Sequence, residues 1–303
     1  MTTFKKIILI IFSAIVISAL AGYIYFDRKF SPEDNYLEVN YESGKIPLKW
    51  LGENKNALLL PIHFPKDSAT YYLQFDTGSP STIFYENEIK KIKSVKRKDD
   101  RAIAHFLLGK TNIQSKNFKV ISYGKSQENN SLKIIGTLGS DILDQRKTLL
   151  NFKENYVIFN LDNVPSDFKN QLSDFQFKKR KIIFEGILKG KKEKFLYDSG
   201  SSAFELLTNK NVWTILKSPK SPILEEKSKS WDRVLTSFTA SSNESISFGQ
   251  KEIPLRNVTY VEGFSQTQFL LMKFSGMTGM LGNQIFVNHI LYFDAKENKM
   301  QIQ

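Results

Sequence analysis

The sequence predicts an all-β protein of two similar lobes behind an N-terminal transmembrane helix, and three observations predict it. Short runs rich in β-branched and aromatic residues recur between clusters of Gly, Asn, Ser and Lys, the pattern of strands bounded by turns. Three blocks of sequence occur twice, in the same order, as an internal duplication would leave them. Residues 7–26, IILIIFSAIVISALAGYIYF, carry no charge and are long enough for a helix to cross a hydrocarbon core of ~30 Å.

The N-terminal run comes first in the chain. Lys5 and Lys6 precede it, which favours a cytoplasmic N-terminus, and Arg28 and Lys29 follow it and weaken that bias. Ala19-Leu20-Ala21 has the form of a signal-peptide cleavage site, and cleavage there would leave a secreted or periplasmic protein. The apolar run continues past that site to Phe26. The expectation is therefore an uncleaved membrane anchor over residues 1–29, with the remainder outside the cytoplasm.

Behind it, strands are expected at 58–64, 71–76, 118–123, 156–161, 181–188, 194–198, 245–249, 257–262 and 290–294. Gly109-Lys110 and Gly249-Gln250 read as hairpin turns, and DILDQ (141–145) and QIFVN (284–288) as one short helix in each half. PSDFKNQ, 165–171, reads as the link between an N-terminal lobe, 30–168, and a C-terminal lobe, 169–303.

The duplicated blocks carry the chemistry. YLQFDTGSPSTIFY, 72–85, has its counterpart in FLYDSGSSAFELL, 195–207. GKTNIQSKN, 109–117, matches GQKEIPLRN, 249–257, and LGSDILDQRKTLLNFKEN, 138–155, matches LGNQIFVNHILYFDAKEN, 281–298, without a gap. In each half an acid, Asp76 or Asp198, stands at the end of an apolar run. Burying a lone carboxylate is costly unless it is hydrogen-bonded or sheds its charge. Thr77, Gly78 and Ser79 follow the first acid, and Ser199, Gly200 and Ser201 the second, so each has hydroxyl donors and a residue free to turn beside it. One such triplet most often forms a turn whose Asp caps its own loop. Two, each followed by a Leu-Gly block inside a repeat, point to a paired site.

These motifs resemble the pepsin-like and retropepsin-like aspartic proteases in a single-chain, two-lobe form, over most of residues 55–303. The resemblance implies a bilobal acid-protease fold of two β-barrel-like lobes with a cleft between them, and a catalytic pair, Asp76 and Asp198, with one from each lobe. It implies that the Thr77 and Ser199 hydroxyls bond across to the opposite loop, and that Ser79 and Ser201 bond the outer carboxylate oxygens. Gly78 and Gly200 are expected to let the backbone turn tightly and bring amides near the acids. Leu138-Gly139 and Leu281-Gly282 would pack beneath. Two carboxylates at close range split their proton affinities. The ionised one can take a proton from water while the protonated one donates to the carbonyl of a peptide bond. In one respect the chain departs from the family. The stretch where the first lobe's flap belongs, KSVKRKDDRAIAH (93–105), has no Tyr or Trp, whereas the second lobe offers Trp231 and Phe238.

Composition narrows the alternatives. The chain of 303 residues has no cysteine, which excludes disulfides, a thiol nucleophile and a thiolate zinc site. His63, His105 and His289 are far apart in sequence, so neither a metal nor an organic cofactor is expected. The net charge of +12 suits anionic surfaces but says nothing of fold. The basic runs 90–98 and 178–181 lack the aromatic interleaving of a nucleic-acid site. In LLGKTN, Ala104 stands where a P-loop needs its first Gly, and no Gly-x-Ser-x-Gly occurs. The expected partners are a peptide or protein substrate and the membrane, with the chain itself a monomer. The rival to an endopeptidase is a catalytically silent peptide-binding module that keeps the fold.

Overall fold

The computed structural model describes residues 3–122, 132–169, 171–230, 233–263 and 276–303, without the side chains of 3–11, 14, 229, 230 and 233. Residues 1–34 form one compact unit and Asn35–Gln303 another. The first is a single helix, Thr3–Lys29, whose described apolar side chains, Ile17, Leu20 and Tyr23 among them, are exposed. Among the described residues no helix is long and apolar enough to cross a membrane. The side chains at positions 7–11 and 14 of the expected span lie outside the described residues.

The second unit is mostly β, in two sheet-rich lobes joined by a sheet that both share. The first lobe's sheet runs, edge to edge, Lys49–Leu51, Ala57–Ile62, Tyr71–Phe75, Ile134–Leu138, Ile83–Tyr85, Thr111–Ile121, Arg101–Leu108 and Lys96–Lys98, with Glu38–Asn40 added beside Thr111–Ile121. The second runs Gln176–Lys178, Lys181–Leu188, Lys191–Tyr197, Gly279–Leu281, Leu206–Thr208, Lys251–Glu262, Arg233–Phe248 and Leu224–Ser230. The two orders correspond strand for strand, so the duplication is one of topology as well as of sequence.

The shared sheet takes its six strands from both halves, in the order Ser173–Asp174, Lys299–Ile302, Ile290–Asp294, Lys147–Asn151, Tyr156–Phe159 and Ile46–Pro47. At its centre the tails of the third repeat block pair antiparallel, with Leu149 opposite Tyr292. One continuous core runs through both lobes. In the first it is built on contacts among Phe64, Phe84, Phe106 and Phe118, and in the second on Phe184 against Tyr197, Phe248, Phe286 and Phe293. Rings of this size bury much apolar surface and pack edge-on or offset.

The short helices expected after each Leu-Gly are present, as 3-10 helices at Ser140–Leu143 and Gln284–Phe286, too short to hold an α-helical bond ladder. One element of the second lobe was not expected. A helix at Lys210–Leu216 went unread. Asn209 caps it by accepting from Val212 N–H, and it buries Trp213 and Leu216. Residue 123 of one expected strand and residue 170 of the expected link lie outside the described residues. The rest of the link holds a 3-10 turn at Ser166–Phe168.

Candidate active site

Each candidate acid stands where a strand ends against a parallel neighbour. Tyr71–Phe75 lies beside Ile134–Leu138, and Lys191–Tyr197 beside Gly279–Leu281, both parallel. At the end of each pair the Asp amide bonds the Leu of the Leu-Gly motif: Asp76 N–H to Leu138 C=O at 3.0 Å and Asp198 N–H to Leu281 C=O at 2.8 Å. The third repeat block therefore fixes where each acid leaves its sheet.

The two loops meet face to face. A Cβ on Gly78 would lie 2.5 Å from Asp198 Oδ1, and a Cβ on Gly200 would lie 2.5 Å from Asp76 Oδ1. Neither glycine is among the residues with positive φ. The backbone does turn tightly at each, Ser79 N–H bonding Asp76 C=O and Ser201 N–H bonding Asp198 C=O at 3.1 Å, but in a conformation that does not itself require glycine. Each glycine leaves the space that the opposite carboxylate fills.

Thr77 and Ser199 interlock the loops. Thr77 N–H donates to Ser199 Oγ and Ser199 N–H to Thr77 Oγ1, each at 2.9 Å. The Thr77 hydroxyl donates on to Tyr197 C=O and the Ser199 hydroxyl to Phe75 C=O, each at 3.0 Å. Both side chains are fully buried. Thr77→Val keeps the shape but orphans Ser199 N–H and Tyr197 C=O, at a cost on the order of 1–3 kcal/mol. A lowered unfolding midpoint together with reduced turnover is expected, while Thr77→Ser, which keeps the hydroxyl, is expected to be mild. Wild-type values of both for Thr77→Val would show that the interlock has no energetic weight.

The carboxylates are held from below by amides. Asp76 Oδ1 accepts from Gly78 N–H at 2.8 Å and Ser79 N–H at 3.2 Å, and Asp198 Oδ1 from Gly200 N–H at 2.9 Å. Ser201 Oγ donates to Asp198 Oδ2 at 3.1 Å. The Ser79 hydroxyl differs from the expectation: it donates to Ser81 C=O at 2.8 Å, so Ser79 serves its acid through its amide alone. Burial pushes Asp76 up to about 7, with the charge of Asp198 and a hydrogen bond between the two side chains acting in the same direction, against the Gly78 and Ser79 amides. Two carboxyl groups bonded to each other in this way can share one proton and titrate as a unit. Such a pair can deprotonate a water and protonate a carbonyl oxygen in one step.

Several residues around the loops were not singled out in the sequence. Asp141, in the first Leu-Gly block, is buried and accepts from Thr82 N–H at 2.6 Å and Thr82 Oγ1 at 2.7 Å. Burial pushes its carboxyl up to about 6, opposed by the Thr82 bonds and by Arg180. Asn283, in the second block, bonds Tyr197 OH, Ser199 C=O and Ser202 Oγ. A polar residue soon after each Leu-Gly was the signal available. Arg180, nearly buried, donates to Pro80 C=O at 3.1 Å and lies 3.6 Å from Asp144. The neighbouring Lys181 bonds Gly78 C=O. Both come from the run KKRK, which reads as a solvated basic stretch until the fold folds it inward.

The expected flap stretch forms a hairpin, Lys96–Lys98 with Arg101–Ile103, its first strand fully exposed. The matching hairpin of the second lobe is longer, with Leu224–Ser230 paired to Arg233–Thr239. Trp231 lies outside the described residues, and Phe238 stacks on Tyr260 at 4.7 Å. Among the described residues no group of three or more His, Asp or Glu side chains is arranged to hold a metal. Compared with known proteins, the chain matches no family description and no curated protein.

Proposed function

We propose that residues 35–303 are an aspartic endopeptidase, hydrolysing peptide bonds through a water activated jointly by Asp76 and Asp198, in a bilobal acid-protease fold with its cleft between the lobes. The observation that carries this reading is the reciprocal fit of the two loops, each carboxylate occupying the space left by the other loop's glycine. A turn that merely caps itself has no need of a second copy facing it. The water lies between the carboxyls; one acid takes its proton while the other donates to the scissile carbonyl, and the tetrahedral intermediate collapses with the proton delivered to the leaving amine. The amides of Gly78, Ser79 and Gly200 hold the acids in place and take no part in the proton transfers.

A silent peptide-binding module is the second reading, favoured by the short, exposed and wholly basic strand Lys96–Lys98 where a covering flap is expected. The uncharged run 7–26 is read, within the same proposal, as an anchor that leaves the lobes outside the cytoplasm. The full chain, purified in detergent, is to be incubated with a diverse peptide pool across pH 3–8, with and without a statine-type peptide. Statine-sensitive internal cleavage is expected. Statine binding without cleavage would replace the enzyme by the binding module, and no binding would remove both. Retention of the chain in the membrane fraction after an alkaline wash is expected; its release would remove the anchor.

A further inference from the structure

The two catalytic loops are related strand by strand, which makes any departure from that relation informative. Lys181 is one. It opens strand Lys181–Leu188, whose residue Ile183 pairs with Leu196 of the strand leading to Asp198. In the first lobe Leu59 pairs with Gln74 of the strand leading to Asp76. Leu196 and Gln74 each stand two residues before their acid, so Leu59 corresponds to Ile183 and Ala57 to Lys181. Ala57 is buried and apolar. One lobe thus offers the site a methyl group and the other an ammonium.

That ammonium is directed at the dyad. Lys181 Nζ donates to Gly78 C=O, on the loop of Asp76, while the space of the absent Gly78 side chain is filled by the carboxylate of Asp198. Ile182 pairs with Tyr197, so Lys181 stands one step beyond that ladder, opposite Asp198 of its own lobe, and its ammonium reaches across to the loop of Asp76. Burial lowers the proton affinity of Lys181 overall, and the charges of Asp198 and then Asp76 oppose it. Among the described residues, the other groups around the pair are uncharged or engaged elsewhere. Tyr85 is bonded to Thr137 Oγ1 and Tyr197 to Asn283 Oδ1. Arg180 faces Pro80 and Asp144, and Asp141 is held by Thr82.

Resting on the reading of Asp76 and Asp198 as a dyad, we propose that Lys181 is a positioning residue that breaks its symmetry, holding the negative charge on Asp198 and leaving the shared proton on Asp76. A dyad between two like lobes has no intrinsic reason to place its proton on either side. A single cation on one side supplies one, and it favours the singly ionised state over the neutral one. Asp198 then becomes the acceptor of the water's proton and Asp76 the donor to the carbonyl.

The test replaces Lys181 by Gln, which keeps a donor for Gly78 C=O without the charge, and by Arg, which keeps the charge. In the full chain, the pH profile of kcat/KM of Lys181→Gln is expected to move bodily upward by about one pH unit or more, with Lys181→Arg near wild type. Carboxyl NMR titration of ¹³C-labelled aspartates is expected to show the same upward shift, largest at Asp198. Loss of activity without any move of the profile would make Lys181 a structural residue only and overturn the proposal. The titration needs no turnover. A wild-type chain that cleaves nothing would sink the endopeptidase reading, while an upward shift in Lys181→Gln would still support the charge assignment and an unshifted one would end it. Should Lys181→Gln not fold, Ala57→Lys, which restores the symmetry from the other side, is expected to even out the two titrations; unchanged titrations there would count against the proposal.

Discussion

On the proposed endopeptidase reading, replacing Asp76 or Asp198 by Asn is expected to remove hydrolysis, by roughly 10³-fold or more, because each acid would have a proton-transfer role that an amide cannot fill. The double variant is expected to be no worse than either single one, since the pair acts as a unit. Stability is expected to move the other way, and the sign follows from the proton affinities. Folding raises Asp76 from 3.8 to about 7. Between those values the native chain holds a proton that the unfolded chain has released, so stability is greatest below about pH 4 and falls as pH rises toward 7. A shift of that size corresponds to about 4 kcal/mol. Asp76→Asn removes this dependence. Denaturant unfolding at pH 4 and at pH 7 is therefore expected to show a gain for Asp76→Asn over wild type that is larger at pH 7. Asp141, also raised, to about 6, contributes equally to both chains and cancels in the comparison. Turnover by either single variant near the wild-type rate would sink the dyad. A wild-type chain as stable at pH 7 as at pH 4, relative to Asp76→Asn, would show that the two acids do not share a buried proton.

The duplication was legible in the sequence because it is carried by residues whose types are constrained at the backbone. Leu138-Gly139 and Leu281-Gly282 recur since each Leu side chain is fully buried, and a Cβ on Gly139 or Gly282 would lie 2.4 Å from the backbone of Ser81 or 2.1 Å from that of Ser201. Thr77 and Ser199 were legible for the same reason: only a short hydroxyl both accepts an amide and donates to a carbonyl across the loop interface. What stayed hidden was whatever depends on a partner distant in sequence. Lys181 looks like one of many surface lysines until strand pairing brings it to Gly78, over a hundred residues away. The helix Lys210–Leu216 was missed because its apolar face, Trp213 and Leu216, is too sparse to show a period, and its boundary is set by the Asn209 cap. The stretch expected to hold a flap is charged and lacks Tyr and Trp, and its hairpin rests on pairings such as Arg97 with Ala102 that no local signal announces.

Gly200→Ala and Gly78→Ala are expected to be nearly as damaging to turnover as loss of an acid, although neither side chain takes part in chemistry. The added methyl of Gly200→Ala would lie 2.5 Å from Asp76 Cγ, and that of Gly78→Ala 2.5 Å from Asp198 Oδ1. No pair of non-bonded carbons or oxygens tolerates such an approach, so the carboxylate must move. It cannot move far without breaking the amide bonds that hold it, Gly78 N–H and Ser79 N–H on Asp76 or Gly200 N–H on Asp198. A displacement of about 1 Å in a reacting group costs on the order of 10²-fold in rate. Overpacking a close-fitting site costs roughly 1–3 kcal/mol of stability. Because the loops are related by the duplication, the two variants are expected to be similar in both measures. The atoms given as nearest each methyl are those of the opposite carboxylate, so the loop interlock of Thr77 and Ser199 is expected to survive and the fold with it. The decisive comparison is carboxyl NMR of the aspartates in each variant beside kcat on a cleaved peptide: turnover falls and the joint titration of the two acids splits into separate ones. Wild-type turnover in either alanine variant would mean that the carboxylates do not occupy the glycine spaces in the working protein, and the face-to-face pairing on which the endopeptidase reading rests would be lost.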